Sequence, residues 1–437
     1  MAGLLKTLSA KNTKSKDSAI LQRLQPRKVA EPVLKGGQTL TGRIQAAVQI
    51  AQKNLGKYKE KYVLLQDEDS VSRYFESILS NGIAAIDTET DSLDPLMGVI
   101  AGVCLYTPGQ KAAYIPINHI SHITRERLQN QVSPEFVGKM LLRAGANVKW
   151  VFHNAKFDIR YIKNYLGVRL PCYWDTFLAA KCLNENESAK LKDLHLKYCK
   201  SEDKEAYTYE SLFSGIPFVY LPVATAYLYA AGDPVKTFEL YEFQKQYLSR
   251  RILPGCSYVF KNIEIPCLDV IIDMEDLGVA IDFDTVRYLK EKYTPILEER
   301  DKAVNQEFAK FEDKIKAYLW LHPDSKLQYP VLASSPSQLA EFFYQVLKCK
   351  SVVLPGKKSA QSNGTGVDVL RELPKANPDL GIEALCQAIL DFRETSKLIN
   401  TYIDKLPNTV CPKDLRIHGS YNQYGAATGR FSSSDPN

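Results

Sequence analysis

The chain has 437 residues, 45% of them apolar and 24% charged, the composition of a folded protein with room for two or three domains of ~100–200 residues each. No apolar run reaches the ~18 residues of a membrane span, the N-terminus lacks the apolar core of a secretory signal, and the nine cysteines include no C-x-x-C pair, which argues against a structural zinc site and for reduced thiols in a cytosol-like compartment. Charge is uneven: residues 1–62 hold 13 Lys and Arg against Asp17, Glu31 and Glu60, a net +10, so the remainder of a +6 chain carries −4. A basic arm on a mildly acidic body fits contact with a phosphate backbone, and fits a solvated extension equally well.

In chain order, residues 1–40 are polar and poor in aromatics, and 39–62 has room for one helix. From Tyr62 the pattern changes. YVLLQD reads as a strand, SVSRYFESILSNG as a helix ending at Gly82, and IAAID as a buried strand. VIAGVCLYTPG and KAAYIPI read as two strands joined by a Pro-Gly turn. SPEFVGKMLLRAGA (133–146) has helical spacing, VKWVFHN (148–154) is another apolar strand, and a helix follows through KFDIRYIKNYLG. Several helices occupy 174–250. This order predicts an α/β domain with a mixed sheet over about 63–250. NIEIPCLDVIIDMEDLGVAID (262–282) opens a second, mainly helical region, with a long charged helix at about 284–318, a Ser/Pro-capped helix in 334–347, a basic Gly/Ser-rich loop at 350–366 and a helix at about 378–405. The chain stops at FSSSDPN without a terminal helix or cap, which reads as unfinished.

The chemistry begins in AAIDTETDSL (84–93). Asp87 and Glu89 are two apart on a strand and share a face, with no basic residue beside them in sequence. Like charges so placed need a positive neighbour. Asp158 stands where VKWVFHN gives way to a helix, and Tyr229 precedes Asp233 by four residues, one helical turn. Four carboxylates on separate elements suit hard divalent ions, Mg²⁺ or Mn²⁺, and two such ions about 3.5–4 Å apart clamp the attacking and leaving oxygens of a phosphoryl transfer. Alone, a D-x-E pair is more often an exposed strand end, and the alternative for Tyr229, in an apolar LYAA setting, is packing in a core.

Taken together, DTETDSLD, HNAKFDIRYI and YLYAAGDPVKT resemble the three exonuclease motifs of the proofreading domain of family A DNA polymerases, the bacterial DNA polymerase I type; WDTFLAA (174–180) resembles a further segment. The resemblance implies a ribonuclease H-like fold and 3′–5′ removal of nucleotides. It implies metal ligands at Asp87, Glu89, Asp158 and Asp233, with Asp87 bridging two Mg²⁺ ions (Mn²⁺ substituting) and Glu89 and Asp233 holding the nucleophile-side ion. Tyr229 and Glu89 would orient the attacking water. Asn154 would support the metal site, Leu93 would wedge the terminal base, and Tyr209 is a second stacking candidate.

The second half resembles the polymerase thumb of the same family. EIPCLDVIIDMEDLGVAID, SSPSQLAEFFYQVL, GTGVDVL and DFRETSKLINTYIDKL follow in family order, and GSYNQYGAATGRFSSSDPN resembles the segment before the first polymerase motif. Arg393 and Lys397 would touch the duplex backbone, although a solvated helix face explains them as well; Arg430 would reach the minor groove at the primer end, and Ser432 and Asn437 would contact the template–primer. The expected division is therefore a basic extension (1–62), an exonuclease domain (63–250) and a truncated thumb with the start of the palm (251–437). The D-x-S-x-x-E-x-R motif, the nucleotide-binding Lys helix and the H-D-E motif do not follow, and no 5′-nuclease domain precedes, a phage-like arrangement. The implied partners are single-stranded 3′ ends, primer–template duplex and a C-terminal chain carrying palm and fingers; the implied location is the cytoplasm of a bacterial or phage-infected cell, with no membrane contact. A lone domain of this kind could belong to a ribonuclease D-type exonuclease, which the second half argues against; a standalone exonuclease with a DNA-clamping domain and an inactive DNA-binding relic are the alternatives.

Overall fold

The protein is described by a computed structural model for residues 39–199, 207–249, 251–352, 363–426 and 428–436. The arm at 1–38, most of the 350–366 loop and Asn437 lie outside the described residues. Two compact units divide the chain: one runs to Leu277 and takes in Ser420–Ser434, the other is Gly278–Gly419 with the last three residues.

In the first unit, helix α1 (Leu40–Leu55) is capped by the Thr39 side chain and leads into β1 (Tyr62–Leu64). Helix α2 (Glu68–Asn81) starts on Asp67, which accepts from the Ser70 N–H at 2.8 Å, and ends on Gly82 at φ +65°, a left-handed cap cheap only without a Cβ. Then come β2 (Ile83–Thr90), β3 (Ile100–Tyr106), β4 (Ala112–Pro116), α3 (Pro134–Ala144), β5 (Lys149–Phe152), α4 (Ala155–Leu166), β6 (Trp174–Asp175) and α5 (Thr176–Leu183). The helical half holds α6 (Leu191–Tyr198), α7 (Tyr209–Phe213), α8 (Val223–Ala230), α9 (Gly232–Tyr247), α10 (Pro254–Val259) and α11 (Ile265–Leu277).

The six strands lie in the order β1-β4-β3-β2-β5-β6. β2 runs antiparallel to β3 and parallel to β5, β3 is antiparallel to β4, and β5 is parallel to β6. Leaving β1 aside, the strands stand in sequence order three-two-one-four-five with a single antiparallel member, the expected ribonuclease H-like arrangement. One face packs α2, α3 and α4 over Ile86, Val103, Trp150 and Phe152; the other buries Cys104 and Tyr114 beneath α1 and α8. Phe260, Leu268 and Ile272 join the first of these cores, so this compact unit continues beyond the strands and helices of 63–250 as far as Leu277.

The second unit contains β7 (Val279–Ala280), α12 (Phe283–Ala309), α13 (Glu312–Leu321), α14 (Pro336–Glu341), α15 (Val367–Ala376), α16 (Glu383–Lys397) and β8 (Arg416–Ile417), which pairs with β7. The single helix expected over 284–318 is two. The chain turns at Phe311 so that Phe308 and Phe311 both reach Phe342, at 5.1 and 5.7 Å between ring centroids. α16 is five residues shorter at its start than expected and continues past Lys397 as a wider turn through 398–403. Back in the first unit, β9 (Ser420–Asn422) and β10 (Ser432–Ser434) form a two-stranded ribbon. No described helix is long and apolar enough to cross a membrane.

Candidate active site

β2 pairs with β5 only along Ile83–Ala85. Its second half therefore extends past β5 at the carboxyl ends of the parallel strands, where open α/β sheets leave a crevice for ligands. Asp87 and Glu89 stand on one face there, opposite Cys104 and Gly102 of β3, just before a register shift between Glu89 and Thr90. A Cβ at Gly102 would lie 2.3 Å from the Tyr114 ring, so only glycine lets β3 lie over that ring. Carboxylate oxygens of Asp87 and Glu89 and the Cys104 sulfur lie within 4.8 Å of one another.

Asp158 reaches this strand from the first turn of α4. One carboxylate oxygen accepts from both the Thr88 N–H (2.9 Å) and the Thr88 hydroxyl (2.6 Å). The helix is aimed by a second buried acid: Asp175, at the end of β6, accepts from the N–H groups of Asn154 (3.0 Å) and Ala155 (2.8 Å) and from Phe177 N–H (2.8 Å). It thus caps α4 and α5 at once, and Asn154 turns through φ 67° to allow it.

Tyr229 and Asp233 were expected on one helix. They sit instead on two, α8 and α9, meeting at Ala231. Pro234 lacks the N–H that would bond the Ala230 carbonyl, so the ladder lapses there; Ala231, between the two helices, keeps φ −62° and ψ −16°. Asp233 carries two ammonium neighbours: Lys236 Nζ at 2.8 Å from one oxygen and Lys192 Nζ, from α6, at 3.2 Å from the other. Lys192 Nζ also stands 4.0 Å from the centroid of the Tyr229 ring.

The electrostatics follow from burial and these neighbours. Burial, with Asp158, Glu89 and Asp233 close by, drives Asp87 well above the usual carboxylate range. Burial and the charge of Asp233 bring Glu89 up to about 8. Burial raises Asp158 to about 7 even though Thr88 favours its ionised form. Asp233 goes the other way: burial opposes its charge, but Lys192 and Lys236 outweigh it and hold the group at about 2. Burial also lifts the hydroxyl of Tyr229 well above its ordinary value, so it keeps its proton. A cluster of four acids that share too little positive charge is the donor set a hard divalent cation fits.

The expected DNA-contact residues are placed as follows. Leu93, in the loop after β2, is 87% exposed. Asn154 is exposed at the mouth of α4. Tyr209 is half-buried; its hydroxyl donates to the Ile216 carbonyl and its ring lies 6.4 Å from that of Tyr229. Arg393 is turned inward, donating to the carbonyls of Ala333 (2.8 Å) and Thr365 (2.5 Å), while one guanidinium nitrogen is buried with no hydrogen-bond partner among the described residues. Lys397 and Arg430 are exposed, and Ser432 sits in β10 opposite Asn422. Thr88, Lys192, Lys236, Cys104 and Asp175 escaped the sequence reading. Of these only Asp175 had a local signal, an acid at a strand-to-helix junction.

Residues 62–248 match the family model of the 3′-5′ exonuclease, and residues 294–437 match that of DNA polymerase family A. The second of these segments thus resembles DNA polymerase family A, and the first the 3′-5′ exonuclease. The chain is 28% identical over 361 residues to DNA polymerase I of Chloroflexus aurantiacus, covering 81% of itself and 34% of that protein. It is 31% identical over 360 residues to DNA polymerase I of Synechocystis sp., covering 81% and 33%. With the DNA polymerase of Escherichia phage T5 it shares 23% over 405 residues, covering 85% and 42%. The chain thus spans about a third of the length of the curated relatives it matches first. Among solved structures, the POL domain of Pol1 from M. smegmatis, in complex with DNA primer-template and dNTP, superposes with a TM-score of 0.61 at 18% identity, covering 86% of this chain and 55% of that one; at that identity the likeness speaks for the fold.

Proposed function

We propose that this chain is the N-terminal portion of a DNA polymerase of the bacterial DNA polymerase I type and acts as a divalent-metal-dependent 3′–5′ exonuclease on DNA. Asp87, Glu89, Asp158 and Asp233 would hold two Mg²⁺ ions, for which Mn²⁺ can substitute. The exonuclease would occupy residues 63–250, and the thumb beyond it would bind primer–template through Lys397, Arg430 and Ser432. Nucleotide addition would belong to palm and fingers residues outside this chain. The observation that supports this reading best is the convergence of four acids from β2, α4 and α9 beside Tyr229, three of them raised and one lowered in pKa by their surroundings.

Bound ions would neutralise the charge of the leaving 3′ oxygen and make a bound water acidic enough to attack at neutral pH. The chain's own residues do the rest. Tyr229, protonated and held by its aromatic neighbours Phe213 and Tyr209 at 5.4 and 6.4 Å, offers a neutral hydroxyl that orients the attacking water together with Glu89. Asp158 is fixed by two hydrogen bonds from Thr88, so its second oxygen is presented in one direction. Leu93, exposed at the lip, would press apolar surface against the terminal base.

A 5′-labelled single-stranded oligonucleotide tests the reading. With Mg²⁺ it should shorten one nucleotide at a time from the 3′ end, stop on addition of EDTA, and stay intact with Asp87→Ala. Internal cuts, shortening from the 5′ end, or undiminished digestion by the variant would overturn it.

A further inference from the structure

Lys192 is the feature of the site that neither the motifs nor the four-acid reading accounts for. Its side chain is only 15% exposed, and it comes from α6, a different helix from those carrying Tyr229 and Asp233. The helix is held in place one turn on, where His195 Nε2 lies 2.5 Å from Glu239 of α9. Leu194 is buried in one apolar cluster with Leu240 of α9. Lys192 is therefore delivered to the acids by a braced element. Among the described residues no ion pair reaches Asp87, Glu89 or Asp158, whereas both oxygens of Asp233 are covered by ammonium groups. Lys236, three residues from Asp233 on the same helix, is a local partner of an ordinary kind. Lys192 alone spans Asp233 and the face of Tyr229, at 3.2 and 4.0 Å.

A buried ammonium is stable only where negative or π-electron density surrounds it. A divalent ion coordinated by Asp233 would stand within a few ångströms of that ammonium, and like charges so close repel. One of them must move. The flexible four-carbon stem of lysine lets it do so without unfolding α6. A phosphodiester drawn into the same pocket offers the displaced ammonium a new anion.

Resting on the proposed nuclease reading, we infer that Lys192 is a partner-switching cation of this site: it holds Asp233 and Tyr229 in the ion-free protein, gives up Asp233 when a divalent ion arrives, and pairs with the phosphate of the 3′-terminal nucleotide. The lysine thereby opposes ion binding in the absence of DNA and supports turnover in its presence. An ion pair that merely tethers α6 to α9 would do neither.

The two effects have opposite signs, which makes them separable. Mn²⁺ binding to the whole chain without DNA is measured from the loss of the free-ion electron paramagnetic resonance signal, and turnover is measured on a 3′-ended oligonucleotide at saturating Mn²⁺. Lys192→Met should tighten Mn²⁺ binding by about fivefold or more and lower kcat by about tenfold or more. Lys192→Arg, which keeps the charge, should stay within about twofold of wild type in Mn²⁺ affinity. Weaker or unchanged Mn²⁺ binding by Lys192→Met, or an unchanged kcat, would overturn the inference while leaving the nuclease reading intact. No Mn²⁺ binding by the wild-type chain would overturn both.

Discussion

Thr88 sits between the two acids of the D-x-E pair yet points away from them, and both its N–H and its hydroxyl donate to Asp158. A hydrogen bond to a charged group is worth about 1.5–3 kcal/mol, so Thr88→Val should lower 3′–5′ turnover by about tenfold, while Thr88→Ser keeps it near wild type; equal rates for Val and wild type would free Asp158 from this dependence. The other three acids differ from Asp233 in a way that titration can read. With Glu89 at about 8 and Asp158 at about 7, both above their unfolded values near 4, the ion-free fold binds more protons than the unfolded chain between those limits. Its stability is then greatest below about pH 4 as far as these groups go, and falls as pH rises through 7 and 8. A cation needs the ionised acids, so Mg²⁺ binding at pH 7 should release protons. Calorimetric binding enthalpies should therefore vary with the ionisation enthalpy of the buffer, and the melting-temperature gain from Mg²⁺ should be larger at pH 8 than at pH 6. Buffer-independent enthalpies would contradict this.

At the scale of elements, α4 works on two sides. One presents Asp158 to β2; the other lays Lys156, Arg160 and Lys163 against the acids of α11. Glu275 is the centre of that contact, its side chain fully buried, accepting from Lys156 and Arg160 at 2.6 Å each and from the Tyr421 N–H at 2.6 Å. Breaking a buried pair by removing one partner costs about 3–5 kcal/mol. Glu275→Ala should accordingly cost that much stability and drop the melting temperature, and it should slow turnover by loosening the helix that aims Asp158; a variant as stable as wild type would show the network to be neutral. The sequence made parts of this legible and hid others. Asp87 and Glu89 were readable because a strand's period of two makes spacing equal to facing. The rotation of α4 was not, since Asp175, seventeen residues beyond Asp158, sets it. The α8–α9 joint escaped because the four-residue spacing of Tyr229 and Asp233 is helical even though Pro234 breaks the ladder between them. The lysines were invisible for another reason: Lys192 reads as one more charge on a polar helix until the fold carries it to Asp233.

Among the described residues, the first unit buries apolar clusters on both faces of its sheet and between its helices, and the second buries one around Phe308, Phe342, Phe343 and Ile389. The family likeness, the mixed sheet and the helical second region were all legible, because motif order survives where overall identity is only 28–31%. That α11 packs with the first unit was not, since it looks alike in sequence whether it packs on the sheet or away from it. The net +10 of residues 1–62 belongs to the same scale. Removing residues 1–38 should weaken DNA binding at low salt and flatten its salt dependence, with metal-dependent turnover unchanged; a preserved salt slope would show that the arm makes no phosphate contacts. The central claim concerns where ions sit. Anomalous diffraction from crystals soaked in Mn²⁺ tests it most directly. We expect peaks about 2.1 Å from oxygens of Asp87, with Asp158 contributing to one and Glu89 and Asp233 to the other. Mn²⁺ bound elsewhere, with these four carboxylates bare, would contradict the account.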